Sequence, residues 1–119
     1  MKIPLPETNE LIDINELMEI MDNDLELVGE CFKDFISDSP EMLDRIEAAI
    51  HLSDMLTTQK AAHAIKGSLK YLAAHKAADI AYQIEKINEE TKKDEIKALF
   101  SKLIEECEKL KDYMKSCEV

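Results

Sequence analysis

Tryptophan is absent from this sequence of 119 residues, glycine occurs only twice and proline three times. So few breakers exclude a fold of many short strands, which needs Gly- and Pro-rich turns. Strand patterning is missing as well: no run rich in Val, Thr and aromatics alternates with polar residues. No apolar stretch approaches the roughly 20 residues of a membrane span. The N-terminal MKIPLPETNELIDI lacks the apolar centre of a signal peptide, so a cytoplasmic location is expected. The three cysteines, Cys31, Cys107 and Cys117, are odd in number and show no CxxC spacing. That argues against a disulfide framework or a zinc site, and no metal is expected. Positive charge is also scarce: 15 basic against 26 acidic side chains give a net charge of -11. Such a surface repels nucleic acid and anionic membranes, so neither is an expected partner. No HExxH, P-loop or catalytic-triad pattern occurs.

What remains is helix-forming sequence of one-domain length. Residues 1–9, with Pro4 and Pro6, read as an arm, and residues 10–117 as one helical domain. Leu11, Ile14, Leu17, Met18 and Met21 recur at helical spacing and set a short first helix from about Asp13 to Met21. Asn23 is the expected cap of the next, with Glu26 as its return partner. The stripe Leu25, Val28, Cys31, Phe32, Phe35 and Ile36 resumes after Pro40 with Leu43, Ile46 and Ile50, which fits one kinked helix or two stacked ones. A third long segment runs from about Met55 to Leu72, a fourth to about Glu90 and a last from about Ile96 to Ser116. Cys31 and Cys107 fall on apolar stripes and are expected to be buried. Short connections favour antiparallel neighbours, hence an all-α, up-and-down bundle.

The third long segment carries the chemistry-bearing residues. At about 100° per residue, Gln59, Lys66, Lys70 and Gly67 fall within about 60° of His63. Ala61, Ile65, Leu69 and Leu72 lie on the far side, so the apolar face is opposite His63. An accessible imidazole framed by ammonium groups is a nucleophile at neutral pH, and lysine serves as a point charge for phosphate. Gly67 costs roughly 1 kcal/mol against Ala inside a helix. Its use is either access for another molecule or close packing against a neighbouring helix. Lys60, Ala64, Gly67 and Tyr71 form a stripe beside His63 that, with Gln59, offers a shallow docking floor. A solvated polar face is the plainer reading of the same residues.

The segment AHAIKGSLKYLAA, residues 62–74, resembles the signature helix of histidine-containing phosphotransfer (HPt) domains, whose pattern His-x-x-Lys-Gly-Ser is met by His63, Lys66, Gly67 and Ser68. The likeness extends from about Ile12 to Met114 and implies an antiparallel up-and-down four-helix bundle with an additional short N-terminal helix. Asn23-Asp24, Phe35 and Leu43 stand in the expected order upstream, and AADIAYQIE resembles the helix packed beside the histidine. The resemblance implies a phosphoacceptor at His63, a phosphate-steadying cation at Lys66 and access at Gly67; Lys70, on the same helix face, is a second phosphate-stabilising cation by its position. The resemblance also implies an imidazole-orienting hydrogen bond from Glu85. It further implies a phosphocarrier, not an independent enzyme. Its partners are a response-regulator receiver domain, a sensor histidine kinase or both. It has no cofactor of its own, the Mg²⁺ being held by the receiver, and the expected state is a monomer. One departure is Ala73 where the family often has Gly; Ala resists the left-handed conformation, which moves the expected turn toward His75. The competing class is a phosphate-independent helical interaction module built on the same scaffold.

Overall fold

The computed structural model describes residues 10–117; the arm expected over residues 1–9 lies outside the described residues. Five helices follow in order: α1 (Ile14–Ile20), α2 (Leu25–His51), α3 (Met55–Tyr71), α4 (His75–Glu85) and α5 (Lys93–Ser116). No strand occurs among the described residues. Helix α2 packs on α3 and α5, α4 packs on the same two, and α1 lies against α2. The four long helices thus close a ring around one core, with turns too short to allow anything but reversal between α2, α3 and α4.

The core is aliphatic because the sequence has few aromatics. Leu17, Met21, Val28, Phe32, Ile46, Ile65, Leu69, Ile84, Leu103 and Leu110 are fully or almost fully buried. Helix α2 is one continuous helix with Pro40 inside it, which resolves the two readings of that segment. Buried side chains on both sides of Pro40, from Phe32 and Phe35 to Leu43 and Ile46, hold the two halves together. Cys107 is buried, and burial pushes its thiol up to about 12. Cys31, by contrast, is only half-buried; it lines a groove between α2 and α3 and sits 3.9 Å from Met21 Sδ. Its stripe position was right, but it falls at the edge of the apolar face.

The helix boundaries explain where the site comes to lie. Asp24, not Asn23, caps α2, accepting from the backbone N–H of Glu26 and Leu27. Asn23 instead takes a left-handed conformation with φ 58°, as does Asp22. Asp54 caps α3 in the same way through Thr57. Three helices end in paired bonds that reach back one turn across a left-handed residue: Asp22 after α1, Ser53 after α2 and Ala73 after α3. None of these is glycine. Ala73 adopts φ 55°, so the turn does not slide toward His75; α4 begins there. The strain, roughly 1–2 kcal/mol for a residue with a Cβ, is offset by burial of the Ala73 methyl and by a bond from Asp13 N–H to the Ala73 carbonyl at 3.0 Å.

Helix α4 stops at Glu85, five residues before the expected end. Asn88 ends the helical pattern: its side chain accepts from Glu90 N–H, and its own N–H donates to Thr91 Oγ1. This local bonding competes with helix continuation. Among the described residues no helix is long and apolar enough to cross a membrane.

Candidate functional site

His63 stands in the middle of α3, with 67% of its side chain exposed. It faces outward because Ala62, Ile65 and Leu69 turn the other side of the helix into the core. The neighbouring α4 presents Glu85, whose Oε2 lies 3.0 Å from His63 Nδ1. The other carboxylate oxygen, Oε1, lies 2.6 Å from Lys66 Nζ. One carboxylate therefore bridges the imidazole and the ammonium. An ionised carboxylate only accepts, so Nδ1 carries the ring proton and the lone pair rests on Nε2. Nε2 has no hydrogen-bond partner among the described residues.

Electrostatics follow from that bridge. The Lys66 ammonium first, and the His63 ring after it, hold the Glu85 carboxyl below the usual carboxylate range, against partial desolvation. Lys66 itself is not a free surface cation. Only 13% of its side chain is exposed, and its ammonium sits 5.2 Å from the centroid of the Tyr82 ring. Lys86 Nζ lies at the same distance from that ring. Neither Tyr82 nor Lys86 was singled out in the sequence. The signal was there in the spacing of Tyr82, Glu85 and Lys86, one turn of α4, but only packing of α4 on α3 brings that turn to His63.

The remaining sequence-assigned residues divide into two groups. Lys60, Ala64, Gly67, Lys70 and Tyr71 are exposed along α3 on the side of His63. A Cβ placed on Gly67 would meet nothing within 4 Å. Gly67 is therefore not a close-packing point, and the bland alternative for it falls. Gln59 is a correction to the proposed docking floor: its Nε2 donates to the Ile87 carbonyl at 2.7 Å, tying α3 to the connection after α4. Beyond Gly67, Ser68 and Tyr71 border the groove shared with Cys31, Asp34, Phe35, Asp38 and Met42, with an accessible volume of about 210 Å³.

His51 and His75 lie away from this constellation. His51 ends α2, where its carbonyl accepts from Lys93. His75 opens α4 and pairs through Nε2 with Glu16 Oε2 at 2.9 Å. Asp13 completes a group of three whose ligand atoms lie within 4.8 Å of one another, partners that the sequence spacing did not reveal. Asp13 is already used as the cap of α1, accepting from Glu16 N–H.

A family model for the Hpt domain matches residues 30–114, most of the chain and all of the helices that build the site. The chain belongs to the Hpt domain family. It thus sits among the modules of histidine phosphotransfer in phosphorelays, at that general level. A solved structure of the HPt domain from the Hpt sensor hybrid histidine kinase of Shewanella shares the fold, with a TM-score of 0.75. At 18% identity it covers 89% of this chain and 92% of its own. No curated protein matches the chain. As an Hpt domain, the protein has the all-helical architecture expected from its sequence, four long helices and a short leading one.

Proposed function

We propose that His63 Nε2 accepts a phosphoryl group from a phospho-aspartate of a receiver domain, or from a histidine kinase, and passes it to a response-regulator aspartate. The observation that carries this reading is the bridge from Glu85 to His63 Nδ1, which leaves the lone pair on an unpartnered Nε2 of an exposed ring. In the step, the Nε2 lone pair forms the N–P bond while the acyl phosphate P–O bond breaks, and the aspartate leaves as a carboxylate. The ring gains positive charge as it attacks, and Glu85 lies where that charge is stabilised. Mg²⁺ and the acidic pocket belong to the receiver, so the domain supplies a positioned nucleophile and a surface.

The contacts of Lys66 support a part beyond the phosphate-steadying one that the resemblance implies. Its ammonium balances Glu85, which would otherwise bring a bare carboxylate close to an incoming dianion. Lys60 and Lys70, exposed on the same helix, are the cations available to the phosphoryl oxygens. Gly67 keeps the neighbouring surface open for a receiver.

The test is phosphorylation of the purified domain by a radiolabelled phospho-receiver or by a kinase. The product expected is acid-labile, base-stable and mapped to His63. A protein that binds receivers but takes no phosphate would instead be the phosphate-independent interaction module.

A further inference from the structure

We propose that Tyr82 is a positioning residue for phosphotransfer: its ring seats the Lys66 ammonium against Glu85 and so fixes the imidazole of His63. The inference rests on the phosphocarrier reading and adds to it a residue that the signature helix does not contain.

The chain of contacts runs from Tyr82 to the His63 ring without a gap. The Lys66 ammonium lies 5.2 Å from the Tyr82 ring centroid, within the range of attraction between a cation and an aromatic face. From there it reaches Glu85 Oε1 at 2.6 Å, and Glu85 Oε2 reaches His63 Nδ1 at 3.0 Å. A lysine has four rotatable bonds and would ordinarily extend into water. Here it lies along the α3–α4 junction, with little of its side chain exposed. The ion pair fixes only the ammonium end of the chain at Glu85; the face of the Tyr82 ring is a second contact for the same ammonium.

Helix geometry explains why the residue must be on α4 at this position. Tyr82 and Glu85 are three residues apart, so they point from one face of α4 toward α3. Lys86 follows on the same turn and also lies 5.2 Å from the ring. Two ammonium groups on one ring repel each other, and Glu85 takes up one of them. Lys86 stays exposed, while Lys66 lies between the ring and Glu85. Tyr82 itself is 44% exposed, so its ring face is open to both ammonium groups.

Loss of the ring releases Lys66, weakens its hold on Glu85 and lets the imidazole rotate or exchange its proton between Nδ1 and Nε2. A ring with the proton on Nε2 has no lone pair there and cannot attack phosphorus. The part played by Tyr82 is thus through the population of one tautomer, not through contact with phosphate.

The experiment compares the parent protein with Tyr82→Phe and Tyr82→Leu. Long-range ¹H–¹⁵N spectra of the His63 ring read the tautomer in the free protein, and single-turnover transfer from a phospho-receiver reads the rate at saturating receiver. Tyr82→Phe keeps the ring face and is expected to match the parent in both. Tyr82→Leu is expected to give a mixed tautomer and a transfer rate lower by about three- to tenfold, the scale of one partly exposed cation–aromatic contact. The Lys66 Cε resonance should also lose its ring-current shift. If Tyr82→Leu keeps the parent tautomer and rate, the proposal is wrong. If Tyr82→Phe is as impaired as Tyr82→Leu, the hydroxyl matters and the ring-face account fails. If the parent itself takes no phosphate on His63, the phosphocarrier reading fails, while the tautomer spectra still decide whether Tyr82 orders the ring.

Discussion

Among the described residues two histidine–carboxylate pairs have almost the same length, and their surroundings differ. His63 meets Glu85 at 3.0 Å through Nδ1, and His75 meets Glu16 at 2.9 Å through Nε2. In the first pair the outer nitrogen is left unpartnered, a lysine backs the carboxylate, and only 21% of the Glu85 side chain is exposed. In the second pair the outer nitrogen is consumed, and Glu16 is 41% and His75 57% exposed. No lysine pairs with Glu16 among the described residues. The second pair joins α1 to the start of α4, beside the bond from Asp13 to the Ala73 carbonyl. A short distance between an imidazole and a carboxylate therefore says nothing about chemistry. Under the proposed function, which ring nitrogen is used, and what stands behind the carboxylate, separates a nucleophile from a clasp.

The largest contrast between the pairs is expected from removing each ring. His63→Gln should abolish phosphate acceptance from a matched phospho-receiver, because no other nitrogen nucleophile stands in the site. His75→Gln should accept phosphate at the parent rate. Phosphate on the His63→Gln protein, or loss of transfer in His75→Gln, would reverse the assignment of the two pairs.

The next contrast separates docking from chemistry within the first site. Gly67→Gln should fold at least as stably as the parent, since Gln is the better helix former by several tenths of a kcal/mol or more and a side chain there meets nothing. Its receiver affinity should fall through steric obstruction. Lys66→Ala should leave binding of the unphosphorylated receiver nearly intact but slow transfer, since it strips Glu85 of its counter-charge. Titrations and single-turnover assays on both variants measure the split. Equal binding by Gly67→Gln and the parent would end the account of Gly67 as an access residue.

Much of this site was legible in the sequence because it lies on one helix. The period of α3 alone put His63, Lys66, Gly67 and Lys70 on one face and the core residues on the other, and α3 has no acidic residue between Met55 and Tyr71. The resemblance of the signature helix supplied Glu85, which periodicity alone would not have joined to His63. What spacing could not give was contact between helices. Lys66 was read as a phosphate-steadying cation on the face of His63, and spacing gave no sign that packing on α4 turns its ammonium to Glu85 and Tyr82. Gln59 was read as docking floor, yet the early end of α4 brings the Ile87 carbonyl to its amide. The early end was hidden because Ile87 continues the apolar stripe, while the turn is set by side-chain bonds at Asn88 and Thr91. Ala73 illustrates the reverse case: a local preference against positive φ is overruled by burial and by the bond from Asp13.

A smaller effect is expected from pH. The Glu85 carboxyl is held below its ordinary value, chiefly by Lys66, so its folded form favours the ionised state. A carboxyl of this kind contributes stability that is present above the unfolded value, about 4.3 for Glu. It is lost as pH falls through the lower folded value. At neutral pH the bridge to His63 is therefore intact, and it should fail only in acid, below the ordinary glutamate range. The His63 ring resonances at decreasing pH check this. Glu85→Gln removes that acid-range step while keeping an amide able to reach Nδ1. A parent protein whose bridge breaks already near neutrality would contradict the ionised Glu85 drawn here.

The smallest effect belongs to the clasp. Both members of the His75–Glu16 pair are well exposed, so solvent screens their attraction and ordering two side chains offsets much of it. Breaking the pair with Glu16→Gln should cost roughly 0.2–1 kcal/mol, the usual range for exposed pairs. In a domain of this size that is a fall in Tm of roughly 1–5 °C. Helix α1 should stay in place, because Ile12, Ile14, Leu17 and Met21 are buried and the Asp13 to Ala73 backbone bond does not depend on Glu16. Phosphate acceptance by His63 should not change. A double-mutant cycle with Glu16→Gln and His75→Gln isolates the coupling from other effects of each substitution. Coupling well above 1 kcal/mol, or a change in transfer from either variant, would mean that the two pairs are not independent.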